Sequence, residues 1–218
     1  MSRTNYSDGR DESAEIFEPR SKAHHSKTRK KRSKKGKKNE ILSTFVYIVV
    51  ALAICLLIRQ FLFAPVSVDG ESMMPTLKNH DRLILNKIKK VDRFDIIVFP
   101  APDAPDKEYI KRVIGLPGDE ISMQDDVLYL NGKAVQEPYL DQYKKKLKEK
   151  GQLLTGDFTL MGKTGVAKVP ENEYFVMGDN RGNSKDSRIF GFVHIDTISG
   201  TTDLRIWPFT HFGTLKTE

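Results

Sequence analysis

A chain of 218 residues can hold one good-sized domain with room for tails. Its formal charge of +7 suggests a nucleic-acid partner until it is located: eleven of the 36 Lys and Arg residues fall between Arg20 and Lys38, a stretch without an acid, which leaves 25 basic against 29 acidic residues elsewhere. The basicity belongs to a tail, and no specific nucleic-acid partner is expected. Cys55 is the only cysteine, which excludes an intramolecular disulfide; inside an apolar run it reads as a small apolar residue.

Residues 1–40 are polar, lack hydrophobic periodicity and include the run KTRKKRSKKGKK. Nothing there buries enough surface to offset the entropy of ordering, so a disordered basic tail is expected. From Ile41 to Ile58 the 18 residues ILSTFVYIVVALAICLLI are uncharged, and apolar character resumes after Arg59 and Gln60. As a helix they reach about 27 Å, close to the hydrocarbon thickness of a bilayer, with Arg59 snorkelling at the far interface. The reading is one transmembrane anchor over residues 41–63. A cleavable signal peptide has a shorter leading segment and a small-x-small site, whereas here a long tail precedes the run and Pro65 follows Ala64. Basic residues flanking a span stay on the cytoplasmic side, which sends residues 64–218 outward.

That outer part reads as short strands broken by turns: Val66–Val68, Arg82–Leu85, Asp95–Phe99, Tyr109–Ile114, Asp119–Met123, Val127–Leu130, Lys133–Val135, Tyr174–Met177, Phe192–Ile195 and Thr197–Trp207. Asn131-Gly132 between two alternating apolar runs is a strong hairpin signal. Helical periodicity is nearly absent beyond the anchor, so the expected fold class is mainly β and antiparallel, with a less regular insertion at about 124–172. The lysine-rich stretch Tyr143–Lys150 reads as a solvated loop rather than a helical turn.

The five histidines show no metal-ligand spacing and no nucleophile-elbow pattern, and neither a phosphate-cradling glycine loop nor a CxxC occurs. No metal or cofactor is expected, although a spatially assembled Ser/His/Asp triad stays open. Just past the anchor the chain reads VSVDGESMMPTL, Val66–Leu77. Gly70 supplies flexibility and Pro75 restricts Met74, so Ser72 sits on a short rigid turn after a strand. An ordinary surface turn with packed methionines fits equally well. The second segment, YIKRVIGLPGD, sets Lys111 in an apolar strand. Tyr109, Lys111 and Val113 share one face, while Ile110 and Arg112 point to the other. Apolar neighbours strip water from an ammonium and lower its pKa. Near its ordinary pKa only about one lysine in a few thousand is neutral at pH 7, and moving that pKa to about 7 costs about 4 kcal/mol, within the reach of burial. A neutral Lys111 can take the Ser72 proton as that hydroxyl attacks a carbonyl. The plainer alternative is an edge-strand lysine that blocks aggregation.

With MGDNRGNSKDSRIFG, Met177–Gly191, and RFDIIVF, Arg93–Phe99, these segments resemble the ordered boxes of bacterial type I signal peptidases of the Gram-positive, single-anchor kind. The resemblance runs from the anchor to about Phe192. It implies Ser72 as nucleophile, Lys111 as general base, Ser184 as the serine that bonds and orients the lysine amine, Asp186 and Arg188 as stiffening residues, and an Asp179–Arg112 pair on the far side of the strand. A charged loop of turn formers is the bland alternative for residues 178–188. Two departures stand out: Gly70 replaces a serine that in some members helps hold the oxyanion, and Phe94 stands where glycine is usual. The first leaves the oxyanion to the Ser72 N–H and a backbone or water donor; the second implies a local change in that strand without loss of activity. The resemblance further implies cleavage of signal-peptide-bearing exported precursors after small-x-small motifs near the membrane; a monomer in contact with membrane lipid is expected, although nothing in the sequence fixes the oligomeric state. Val68, Gly70, Met73, Leu77, Tyr109 and Ile110 are expected to line shallow pockets, the substrate adding as a β-strand. Two other classes compete: a Ser/Lys self-cleaving repressor, which would carry a DNA-binding helix-turn-helix in place of the anchor, and a non-enzymatic anchored binding module.

Overall fold

The computed structural model describes residues 34–215. The tail expected over residues 1–40 lies outside the described residues up to Ser33, and from Lys34 onward the chain is helical. The chain divides into Met1–Val46 and Tyr47–Glu218. Helix α1, Lys34–Phe61, begins inside the basic run, seven residues before the expected start of the anchor. Its Glu40–Phe61 portion is long and apolar enough to cross a membrane, and none of that portion is buried. Side chains such as Phe45, Leu52 and Leu56 are 59–65 % exposed in a helix that water alone would not tolerate bare.

Beyond α1 the described residues carry twelve strands, every pairing among them antiparallel, so the expected fold class is borne out. In chain order they are β1 (Phe63–Ser67), β2 (Arg82–Asn86), β3 (Ile96–Ala101), β4 (Ala104–Gly115), β5 (Ile121–Gln124), β6 (Val127–Leu130), β7 (Lys133–Val135), β8 (Phe158–Thr159), β9 (Glu173–Met177), β10 (Val193–His194), β11 (Gly200–Trp207) and β12 (Gly213–Thr214). The larger sheet runs β1-β2-β11-β3-β4-β9-β10, with β12 added on β11; the smaller runs β7-β6-β5-β8. Asn131 and Gly132 take φ of +53° and +75°, the turn that the β6–β7 hairpin requires. One continuous cluster joins the two sheets, in which Ile121, Met123 and Leu128 of the smaller meet Ile114, Phe175 and Met177 of the larger.

The sequence reading misses three short helices: α2 (Asp141–Lys148), α3 (Leu160–Thr164) and α4 (Ser187–Phe190). Residues 143–148, expected as loop, belong to α2. Its Gln, Lys and Leu residues lose little rotamer freedom in a helix, and the cations crowd its negative C-terminal end. A tertiary anchor adds to this: Lys144 Nζ donates to the Asp126 carbonyl at 2.6 Å and to Glu137 at 2.9 Å.

Candidate active site

Ser72 lies in the turns between β1 and β2, and Lys111 lies near the inner end of β4, opposite Ile97 of β3. The structure brings the two together across 39 residues: Lys111 Nζ and Ser72 Oγ are hydrogen-bonded at 2.8 Å. The lysine is 3 % exposed, its amine also donates to the Ile110 carbonyl at 3.0 Å, and the Tyr109 ring centroid lies 4.9 Å away. No ion pair involves Lys111 among the described residues. Burial therefore dominates and pushes the amine down to about 8, with Asp186 and, less strongly, Asp179 pulling it back up.

The loop after β9 clamps the nucleophile's turn. Asn180 N–H donates to the Ser72 carbonyl at 3.0 Å and the Asn180 amide to the Glu71 carbonyl at 3.1 Å. Gly178 makes this approach possible, because a Cβ there would sit 2.5 Å from the Ser72 carbonyl oxygen and 2.2 Å from Ser184 Oγ. Asp186 is fully buried, caps α4 and accepts from the Gly178 N–H at 3.0 Å and, through both carboxylate oxygens, from Arg188 at 2.8 Å. Arg188 in turn donates to the Arg181 carbonyl at 2.8 Å. Loop and strand are thereby held as one unit.

Arg112, one residue beyond Lys111, points to the opposite face and is fully buried. It donates twice to Asp179, at 2.9 and 2.7 Å, and once to the Phe94 carbonyl at 2.8 Å, with its guanidinium 3.9 Å from the Tyr139 ring centroid. Desolvation opposes the charge, but Asp179 outweighs it and holds the guanidinium above its ordinary pKa. Phe94 takes φ of +67°, a left-handed conformation that costs a bulky residue roughly 1–3 kcal/mol. Glycine would adopt it freely, which is the local change that Phe94 imposes; its ring packs 5.6 Å from Tyr139.

Two expectations need correction. Ser184 does not bond the lysine amine: its hydroxyl is buried without a hydrogen-bond partner, filling the space that Gly178 leaves open. Val68, Met73, Leu77 and Ile110 belong to one core cluster and are 3, 2, 0 and 8 % exposed, so they form the floor under the site rather than open pocket walls, and Leu77 presents no surface at all. Gly70 and Tyr109 are accessible: Gly70 has φ of +93° and donates its N–H to Asn79 Oδ1 at 3.0 Å, while the Tyr109 hydroxyl donates to Asp103 at 2.8 Å. Among the described residues the Ser72 N–H has no acceptor.

Sequence reasoning missed a second buried cluster behind the loop. Arg181 pairs with Glu137 and donates to the Gly178 carbonyl at 3.1 Å and to Thr155 at 3.3 Å. Glu137 is 2 % exposed, and although burial raises its pKa, Arg181 and Lys144 prevail and bring it to about 2. The insertion thus reaches into the loop that clamps Ser72. Arg181 was visible in the GDNRGNSKDSR run, but Glu137, in a segment of ordinary polar sequence, carried no signal. No group of His, Cys, Asp and Glu suited to a metal occurs among the described residues.

The chain matches the family described as "Signal peptidase, peptidase S26" over residues 41–207. It is 52 % identical to a signal peptidase I of Bacillus caldolyticus over 168 residues, covering 75 % of this chain and 90 % of that one. It is 48 % identical to signal peptidase I S of Bacillus subtilis strain 168 over 180 residues, covering 80 % and 93 %. A crystal structure of a signal peptidase I from Enterococcus faecalis V583 is 46 % identical with a TM-score of 0.50, covering 52 % of this chain and 97 % of that one. The chain belongs to the peptidase S26 family of signal peptidases.

Proposed function

We propose that this protein is a membrane-anchored signal peptidase I, a serine endopeptidase that removes signal peptides from exported precursors after small-x-small motifs, with Ser72 as nucleophile and Lys111 as general base. The observation that carries this reading is the 2.8 Å contact between the Ser72 hydroxyl and an amine buried without a carboxylate partner and pushed down to about 8. Neutral Lys111, held by the Ile110 carbonyl, takes the hydroxyl proton as Oγ attacks the scissile carbonyl. The Ser72 N–H donates to the oxyanion. Lys111 then passes its proton to the leaving amine, and it repeats the base step on the water that frees the acyl group. Asp179, Arg112, Asp186 and Arg188 keep loop and strand in register, and Ser184 packs beside them.

The substrate adds as a strand. β9 pairs with β4 only from Arg112 onward, so among the described residues the same edge of Ala104–Lys111 pairs with no strand, and a peptide backbone adds along it. Gly70 and Tyr109 border that approach, above a floor of Val68, Met73 and Ile110. The anchor sets orientation: the basic N-terminal flank is cytoplasmic, residues 64–218 are extracytoplasmic, and the working unit is a monomer in contact with lipid. The anchor also confines enzyme and precursor to one plane.

The test is incubation of the purified full chain with a secretory precursor and sequencing of the new N-terminus. Cleavage after a small-x-small site that Ser72→Ala and Lys111→Arg both abolish supports the reading, since a guanidinium stays protonated and is no base. Cleavage by either variant overturns the dyad. Because the neutral amine is the active form, kcat/KM rises with pH through about 8 and falls about tenfold per pH unit below it.

A further inference from the structure

A cleft of about 760 Å³ opens where α1 enters the sheet. Ala53, Leu56, Leu57 and Phe61 line it from one helix face, spaced as i, i+3, i+4 and i+8, and Ala64 of β1 lines it beyond the helix end. Its polar lining is Arg59, Gln60 and Lys87, with no carboxylate. Arg59 is exposed and makes no hydrogen bond or ion pair among the described residues. Lys87 is tied to the helix end, its N–H donating to the Leu62 carbonyl and its ammonium to the Gln60 carbonyl, each at 3.0 Å. An ammonium has three N–H donors, so two remain for another acceptor.

We propose that this cleft binds one anionic phospholipid, its phosphate between Arg59 and Lys87 and an acyl chain along Ala53, Leu56 and Leu57. This rests on the reading of α1 as a membrane anchor. Arg59 is the first charged position after the uncharged run ends at Ile58, which sets it at headgroup height. Lys87 reaches the same level because its backbone and side chain both cap that helix end. Two cations, an apolar trough and no acid complement a phosphodiester carrying hydrocarbon chains. The apolar segment of a precursor is a poorer occupant, since it brings no anion for Arg59 and Lys87.

Full-length protein in a nonionic detergent, titrated with phosphatidylglycerol or phosphatidylcholine and followed by native mass spectrometry, tests this. The expected result is a one-to-one phosphatidylglycerol adduct favoured over phosphatidylcholine. Arg59→Gln and Lys87→Gln should each weaken it about fivefold, the worth of one cation near an anionic surface, whereas Lys146→Gln on α2 leaves it unchanged. Equal binding of the two lipids, or an unchanged preference in both variants, overturns the site. Cleavage of a precursor in lipid-free detergent is the parallel readout. It should be the same in wild type, Arg59→Gln and Lys87→Gln, so an inactive wild type that still selects phosphatidylglycerol counts against the peptidase reading alone. Recovery of the wild type as a soluble protein without detergent removes the anchor and this site together.

Discussion

Lys111 and Arg112 are neighbours in β4, both buried, and they lie in opposite electrostatic worlds. Strand alternation turns Arg112 toward Asp179, the Phe94 carbonyl and the Tyr139 ring, which together keep a permanent cation charged. It turns Lys111 toward a hydroxyl and a carbonyl, which offer hydrogen bonds, and leaves Asp186 and Asp179 acting on it only from beyond ion-pair range. Burial is common to both, so the partner decides the outcome: a guanidinium fixed as a structural cation on one face, and an amine brought within reach of neutrality on the other. One strand thus supplies both a rigid support and a reactive base, and each face can be broken separately.

The largest effect is expected at the reactive face. Lys111→Met should reduce kcat/KM at least about a thousandfold, the upper part of what a positioned base contributes, while making the fold more stable. The difference between 10.5 and about 8 corresponds to roughly 3 kcal/mol of penalty on the charged form. The sign follows from proton binding. Below about 8 the amine is protonated whether the chain is folded or unfolded, and the penalty is fully present; it is relieved as pH rises from about 8 to 10.5. Urea unfolding at pH 7 should therefore show the methionine variant about 1–3 kcal/mol more stable, with the gap closing near pH 10.5. A less stable variant would mean that the lysine's hydrogen bonds outweigh its desolvation. Asp179→Ala should act in the opposite direction, costing about 3–5 kcal/mol in the same measurement because it leaves the Arg112 guanidinium buried and unpaired. Stability unchanged by Asp179→Ala would erase the contrast between the faces.

Glu137→Gln probes the support one layer further out. The carboxylate's stabilisation is present above about pH 4.5 and is lost as pH falls through about 2, an amount of roughly 3 kcal/mol. The glutamine variant should be about 2–3 kcal/mol weaker at pH 7, and its acid-unfolding curve should lose that dependence. Activity should fall with it, since Arg181 also holds the Gly178 carbonyl in the loop that clamps Ser72. A variant of lower stability but full kcat would show that the cluster supports the fold without positioning the nucleophile.

Much of this was legible in the sequence, and the exceptions have physical causes. Apolar alternation and Asn131-Gly132 revealed the strands to within a few residues, because half-buried strands and their turns leave a local signature. β8 and β12, of two residues each, leave none. α2 was hidden because its cations read as solvated loop, while what anchors it is Lys144 reaching residues 18 and 7 positions away. The Ser72 and Lys111 segments stood out by composition, but the close approach of the loop after β9 to the Ser72 turn depends on Gly178, and what a Cβ there would strike is a tertiary fact. The pocket reading failed for Leu77 because an apolar residue beside a nucleophile serves the core and a pocket equally well in sequence. Glu137 was invisible because the value of a lone carboxylate depends on Arg181, 44 residues later.

The smallest effect is expected at the surface, at Asp103. It accepts from the Tyr109 hydroxyl at 2.8 Å and from Lys185 at 2.5 Å, linking the β3–β4 turn to the loop that carries Ser184 and Asp186. The Lys185 and Asp103 side chains are 48 and 40 % exposed, so water and salt screen the pair. Its consequence passes through Tyr109, whose ring lies beside the Lys111 amine and packs against Phe99 and Phe190. Asp103→Asn should raise KM by at most about fivefold, as loss of an exposed pair allows, and leave the apparent pKa in kcat/KM near 8. High salt should reproduce part of the KM change in the wild type and none of it in the variant. A displaced pH profile would instead mean that this latch reaches the ionisation of Lys111, and that the lysine's environment is set partly at the surface and not by burial against β4 alone.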